Sequence, residues 1–399
     1  MSFLNESHRV LLRQLLLAFL LFAFVTCLFK PYITLYASTK PPERQVVKPA
    51  VAFGEFPSTV RDNIEKRQSE GLCQSLAIAL IDEKGTSYHF FGQATKSSLF
   101  EIGSITKVFT ATLLANMLIR QEVEFGSIAC YLPKELKLEP TTKNITLRQL
   151  AQHTSGLPRL PENLDPEAPA DPYADYTKEA LYTYLKTFKA PDNLPTQYAY
   201  SNLGAGLLGH LLSRAGGKSY EELVRQRICE PLAMTDTAIE LSKEQQALLL
   251  HGHYDGNVVP HWNFHVLAGC GAFRSTIVDM ARFARANLGL VVTPLRDTLE
   301  ATRRFRCDTN VPKLKIELGW HLWQRFDEEL VWHNGGTFGF HSFLGFMPRR
   351  IRAVVVLSNS FENVDDIGLH LLDNRWPLTT MRPSLRLFEV LKGKHGCDD

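Results

Sequence analysis

The chain has 399 residues, enough for one large core or two moderate ones. Hydrophobic residues make up 45% and charged residues 22%, a globular balance that excludes disorder and fibrous repeats. Forty-four basic residues stand against 42 acidic ones, and Lys and Arg run together only in short pairs such as Arg349-Arg350, so charge points to no nucleic-acid partner.

At the amino end, Arg9 and Arg13 precede an apolar run from Leu15 to Phe29, closed by Lys30-Pro31. A positive flank, a short apolar stretch and small residues downstream describe a secretory signal, with a cut after Ala37. The run is slightly shorter than the roughly 18 apolar residues of a membrane span, and recruiting Val10 to Leu12 would make it an anchor. Cleavage and anchoring both stay open. Either way the upstream charges hold the terminus inside and send the rest across, so the expected location is periplasmic or membrane-anchored on the outer side. Residues 1–50 are therefore read as signal or anchor plus a Pro-rich linker.

After the linker, Ser75 to Ile81 and Thr86 to Gly92 are strand-like runs joined by Asp82-Glu83-Lys84-Gly85, a hairpin pattern. Apolar residues recur at helical spacing from Ile105 to Leu118. Two more helices are expected at Leu203 to Arg214, stopped by Gly216-Gly217, and at Thr276 to Leu288. Leu318 to Trp323, Leu330 to His333, Ser342 to Pro348 and Arg352 to Leu357 read as successive strands, with a closing helix around Ile367 to Leu372. Strands at both ends with helices between them give an α+β fold, an α/β sandwich whose antiparallel sheet is built from both chain ends. Residues 51–112 and 310–376 are expected to form the sheet domain, 113–309 a mostly helical insertion, and 377–399 a tail. The seven cysteines include no C-x-x-C pair, which leaves buried or idle thiols and at most one bridge.

Three segments can carry chemistry. Ser104-Ile105-Thr106-Lys107 is the only Ser-x-x-Lys in the chain, and a helix beginning at Ser104 brings Lys107 round to the same face. A serine hydroxyl is a weak nucleophile without an adjacent base, and a lysine amine is one candidate. Tyr200-Ser201-Asn202 precedes the second helix and by itself reads as a cap. His333-Asn334-Gly335-Gly336 follows a strand and by itself reads as a turn.

In this order the three segments resemble the penicillin-recognising serine hydrolases, and most of all class C β-lactamases with the related D-alanyl-D-alanine carboxypeptidases and esterases. Phe100-Glu101-Ile102-Gly103, His153-Thr154-Ser155-Gly156-Leu157-Pro158, Tyr198 to Gly204, Gly269 to Phe283 and Gly335 to Phe340 fit as well, so the likeness runs from about Val60 to Asn374. The resemblance implies a β-lactamase/transpeptidase-like fold and an acyl-enzyme on Ser104. It gives Lys107 and Tyr200 the proton traffic, Asn202 the substrate amide, and the N–H groups of Ser104 and Gly336 the oxyanion hole. His333-Asn334-Gly335 stands where these β-lactamases usually carry Lys-Thr-Gly. Histidine is only partly charged at neutral pH, so a weaker hold on a substrate carboxylate is expected. The implied substrate is a β-lactam or D-alanyl peptide of peptidoglycan type, with an ester as the alternative. A sensor that binds penicillin without turnover is a third reading.

No cofactor is implied. His251, His253, His261 and His265 cluster without a metal-ligand spacing, and neither H-E-x-x-H nor G-x-S-x-G occurs. Tyr173, Tyr176, Tyr182 and Tyr184 suit either a cleft border or a packed helix face. His153 is expected to bond backbone near its turn. Asn144-Ile145-Thr146 is a glycosylation sequon with meaning only in a eukaryotic secretory route.

Overall fold

The computed structural model describes residues 56–379. The apolar run, the linker and the far C-terminal tail lie outside these residues, and so do the expectations of cleavage and anchoring. No helix among the described residues is long and apolar enough to cross a membrane.

The largest element is an eight-stranded antiparallel sheet in the order β2-β1-β12-β11-β10-β9-β8-β7. Its early strands are β1 (Leu76–Asp82) and β2 (Gly85–Phe91). Its late strands are β7 (Cys307–Asp308), β8 (Leu314–Ile316), β9 (His321–Arg325), β10 (Glu328–Gly336), β11 (His341–Met347) and β12 (Arg352–Ser358). Both ends of the chain meet where β1 pairs with β12, Leu76 opposite Ser358 through Ile81 opposite Ala353. The α+β expectation, with one sheet made from both ends, holds.

The central strands are covered on both faces, which is why they read as unbroken apolar runs rather than alternating ones. Ala77, Ala79, Ile81, Ala353, Val355 and Leu357 join the main core, together with residues of α2 (Thr106–Ile119) and α5 (Ile277–Asn287). On the other face Phe343 of β11 fills the space beside Gly368 of α6 (Asp365–Leu372). Arg67 on α1 (Ser58–Ser69) pairs with Asp366 at 2.5 Å and ties that helix to α6.

The intervening segment holds α3 (Lys178–Thr187), α4 (Asn202–Gly216) and two small strand pairs. In one of these pairs β3 (Leu99–Glu101) lies antiparallel to β6 (Arg274–Thr276). In the other, β4 (Gly252–Tyr254) lies against β5 (Asn257–Val259). The helix expected from Leu203 begins one residue earlier and ends on Gly217 in the left-handed conformation, as its glycine pair foretold. Five cysteines among the described residues are free thiols, three of them buried.

Candidate active site

The site begins where β3 ends. Ile102 N–H donates to Phe273 O at 3.0 Å, and the chain then turns through a short 3₁₀ segment, Gly103–Ile105, directly into α2. Gly103 has φ +49°, a conformation that suits glycine and starts the turn. Lys107, one turn on, is 2% exposed. Its Nζ donates to Ser104 Oγ at 2.9 Å and to Cys270 O at 2.7 Å. The carbonyl fixes the amine in place, and the hydroxyl lies within proton-transfer distance.

β10 closes the other side. A Cβ on Gly335 would stand 2.0 Å from Ile102 O, and one on Gly103 would stand 2.7 Å from Gly336 N. Only bare backbone lets the strand come this close to the serine turn. Ser342 on β11 secures the contact by donating to Ile102 O at 2.8 Å. Thr337 N–H donates to Phe340 O. The alternation of an antiparallel ladder then turns the Gly336 N–H away from β11. β9, whose pairing with β10 stops at Trp332 opposite His321, does not reach that far. The Gly336 amide therefore faces the turn that carries Ser104.

The Tyr200-Ser201-Asn202 segment enters at the start of α4. Ser201 is its N-cap, with Oγ accepting from Gly204 N–H at 2.8 Å and donating to Pro158 O at 2.6 Å. Ser201 N–H donates to His153 Nδ1 at 3.1 Å, the backbone role expected of that histidine, and the His153 ring lies 4.6 Å from the Tyr200 ring. Tyr200 meets the Ser104–Lys107 pair through the lysine, whose Nζ is 4.8 Å from the ring centroid. Asn202 Nδ2 donates to Tyr173 Oη at 2.7 Å, which leaves its buried Oδ1 without a partner. Tyr173 thus borders the site. Tyr176 instead bonds Asn163, and Tyr182 bonds His210.

His333 corrects an expectation. It is 1% exposed, and its Nδ1 lies 2.5 Å from Asn334 O. Burial, with His321 and the Lys107 charge beside it, holds the imidazole well below its ordinary range. It is neutral at pH 7, not partly charged. His321, whose ring is 5.0 Å from that of His333, is pushed down to about 4 by burial and Lys107. Its Nε2 shares a 3.0 Å hydrogen bond with Tyr198 Oη.

Ser104, Lys107, Tyr200, Asn202, His333, Gly335 and Gly336 thus converge from three separate stretches of chain. The arrangement offers a hydroxyl with an amine on it, two backbone amides near it and an unpaired amide acceptor to one side. Sequence reasoning missed His321, which sits in an unremarkable strand, and Arg159, which directly follows the quoted His153-to-Pro158 segment. Among the described residues no three His, Cys, Asp or Glu side chains could hold a metal ion. His261 instead lies 3.3 Å from Glu101, and His253 bonds Asn359 O.

A family model described as Beta-lactamase matches residues 60–373. The chain is 28% identical to the D-alanyl-D-alanine-carboxypeptidase/endopeptidase AmpH of Escherichia coli (strain K12), over 73% of this chain and 82% of that protein. It is 27% identical to a beta-lactamase of the same organism, over 75% of this chain and 87% of the other. A solved class C beta-lactamase superposes with a TM-score of 0.71 at 21% identity, covering 81% of this chain and 97% of that one, which shows the same fold.

Proposed function

Because the chain belongs to the beta-lactamase family, we propose that it is an exported serine hydrolase that opens a β-lactam or a D-alanyl peptide amide through an acyl-enzyme on Ser104. The 2.9 Å contact between Lys107 Nζ and Ser104 Oγ carries this reading. Lys107, reacting as its free amine, takes the hydroxyl proton and becomes the ammonium as Oγ bonds to the substrate carbonyl carbon. The oxyanion that forms lies between the N–H groups of Ser104 and Gly336. Lys107 and Tyr200 then deliver the proton to the leaving nitrogen or oxygen, whose bond to the carbonyl carbon breaks. Water attacks the Ser104 ester and passes its proton to Tyr200 and Lys107, the bond from the carbonyl carbon to Oγ breaks, the proton returns to Oγ, and the acid product leaves with the serine restored. Asn202 Oδ1 has the free lone pairs to accept a substrate N–H.

A second reading, an esterase with the same machinery, is favoured by one observation. The neutral, buried His333 supplies no positive charge where the family's β-lactamases use lysine. Ester leaving groups also need less protonation. The export assignment rests on the Leu15-to-Phe29 run and its basic flank.

The test is a substrate panel with purified protein: benzylpenicillin, a D-alanyl-D-alanine peptide and short p-nitrophenyl esters, each with Ser104→Ala beside the wild type. Turnover of any amide, lost in the variant, supports the first reading. Ester turnover alone moves the assignment to the second, and no turnover of any of the three removes both.

A further inference from the structure

If His333 is neutral, the binding energy for an anionic substrate has to come from another cation, and one stands beside the site with no ion-pair partner among the described residues. Arg159 lies in the loop that follows Pro158, and its carbonyl accepts the N–H groups of Asn202 and Leu203 at 3.0 and 3.1 Å, so it is tied to the start of α4 beside Tyr200. Its guanidinium carbon lies 5.2 Å from the Tyr200 ring centroid, so it shares that ring with Lys107. Lys107 is already engaged by Ser104 Oγ and Cys270 O. Arg159 forms no ion pair among the described residues, and its Nε is buried without a hydrogen bond. A half-buried guanidinium with open donors is an uncompensated charge, and a fork of N–H groups matches a carboxylate.

Burial raises the Tyr173 and Tyr198 phenols and the Cys270 thiol, and the Arg159 charge works against that rise in all three. Those groups surround Asn202, Tyr200 and the carbonyl that holds Lys107. The charge is therefore felt within the site, not out on the surface.

We propose that Arg159 is the anion anchor of this site and that the substrates are acyl compounds carrying a carboxylate, held against the Tyr173–Tyr200 edge instead of at the end of β10. The inference rests on the serine-hydrolase reading above.

The experiment compares two p-nitrophenyl esters, the neutral butyrate and the glutarate monoester with its free carboxylate. Both are measured with wild type, Arg159→Gln and Arg159→Lys, and the thermal midpoint of each variant is recorded. The ratio of kcat/KM for the glutarate ester to that for the butyrate should fall about 10- to 100-fold in Arg159→Gln, mainly through KM, as expected for hydrogen bonds to a charged group. Arg159→Lys should recover part of that ratio. In the wild type, added salt should raise KM for the glutarate ester more than for the butyrate. An unchanged ratio in both variants, or equal losses on both esters, overturns the anchor and leaves the hydrolase reading standing. If the wild type hydrolyses neither ester nor any substrate of the panel, the hydrolase reading falls and takes the anchor with it.

Discussion

At the scale of residues, the account turns on Ser104 and Lys107 as one unit. Ser104→Ala and Lys107→Ala should each lower kcat by at least about 10³-fold, and the double variant should be no worse than either single one. Additive losses in initial-rate measurements would show that the two act independently and would contradict the pairing. These residues were legible because Ser-x-x-Lys places two functional groups one helical turn apart, a relation that spacing alone specifies. Asn202 was legible only as part of an ordered set. The charge state of His333 could not be read, because it depends on burial among His321 and Lys107, which come from other stretches of chain.

At the scale of elements, the decisive contact is the end of β10 against the serine turn. Gly335→Ala forces a methyl group to within 2.0 Å of Ile102 O, so the strand must move away from Gly103. We expect a loss of about 1–3 kcal/mol in urea unfolding, typical of overpacking. A fall in kcat is expected as well, because the Gly336 amide shifts with the strand. Normal kcat with normal stability would show that the close approach is not needed. The sequence showed a strand only from Leu330 to His333, since glycines carry no hydrophobic pattern, yet they extend β10 to Gly336. The last two strands toward one edge, β8 and β7, were missed for a related reason: they are three and two residues long and carry Lys315 and Asp308. Helix α1 was missed because its buried side is only Val60, Asn63 and Ile64 on an otherwise polar sequence. The strands from Ser342 and Arg352 were plain, because burial on both faces demands apolar residues at every position.

At the scale of the whole molecule, the fold holds several imidazoles neutral. Burial lowers His153 and His333 well below their ordinary range and brings His210 and His321 down to about 4. In the unfolded chain these groups titrate near pH 6.5. Between about pH 4 and 6.5 the unfolded state therefore binds more protons, so stability rises with pH and is lost on acidification through that window. Glu317, raised by burial to about 7, and Asp279, also raised by burial, act in the opposite direction, but His89 is lowered as well, so two groups stand against five. The urea midpoint should fall between pH 7 and pH 5, and His321→Gln should flatten the slope. A midpoint that is constant or rises on acidification would contradict this. The central claim, an activated nucleophile at Ser104, is tested most directly by the mass of the intact protein after incubation with a fluorophosphonate that labels activated serines. The account predicts one adduct, mapped to the peptide bearing Ser104, absent from Ser104→Ala and strongly slowed in Lys107→Ala. No adduct, or equal labelling of Ser104→Ala, would contradict it.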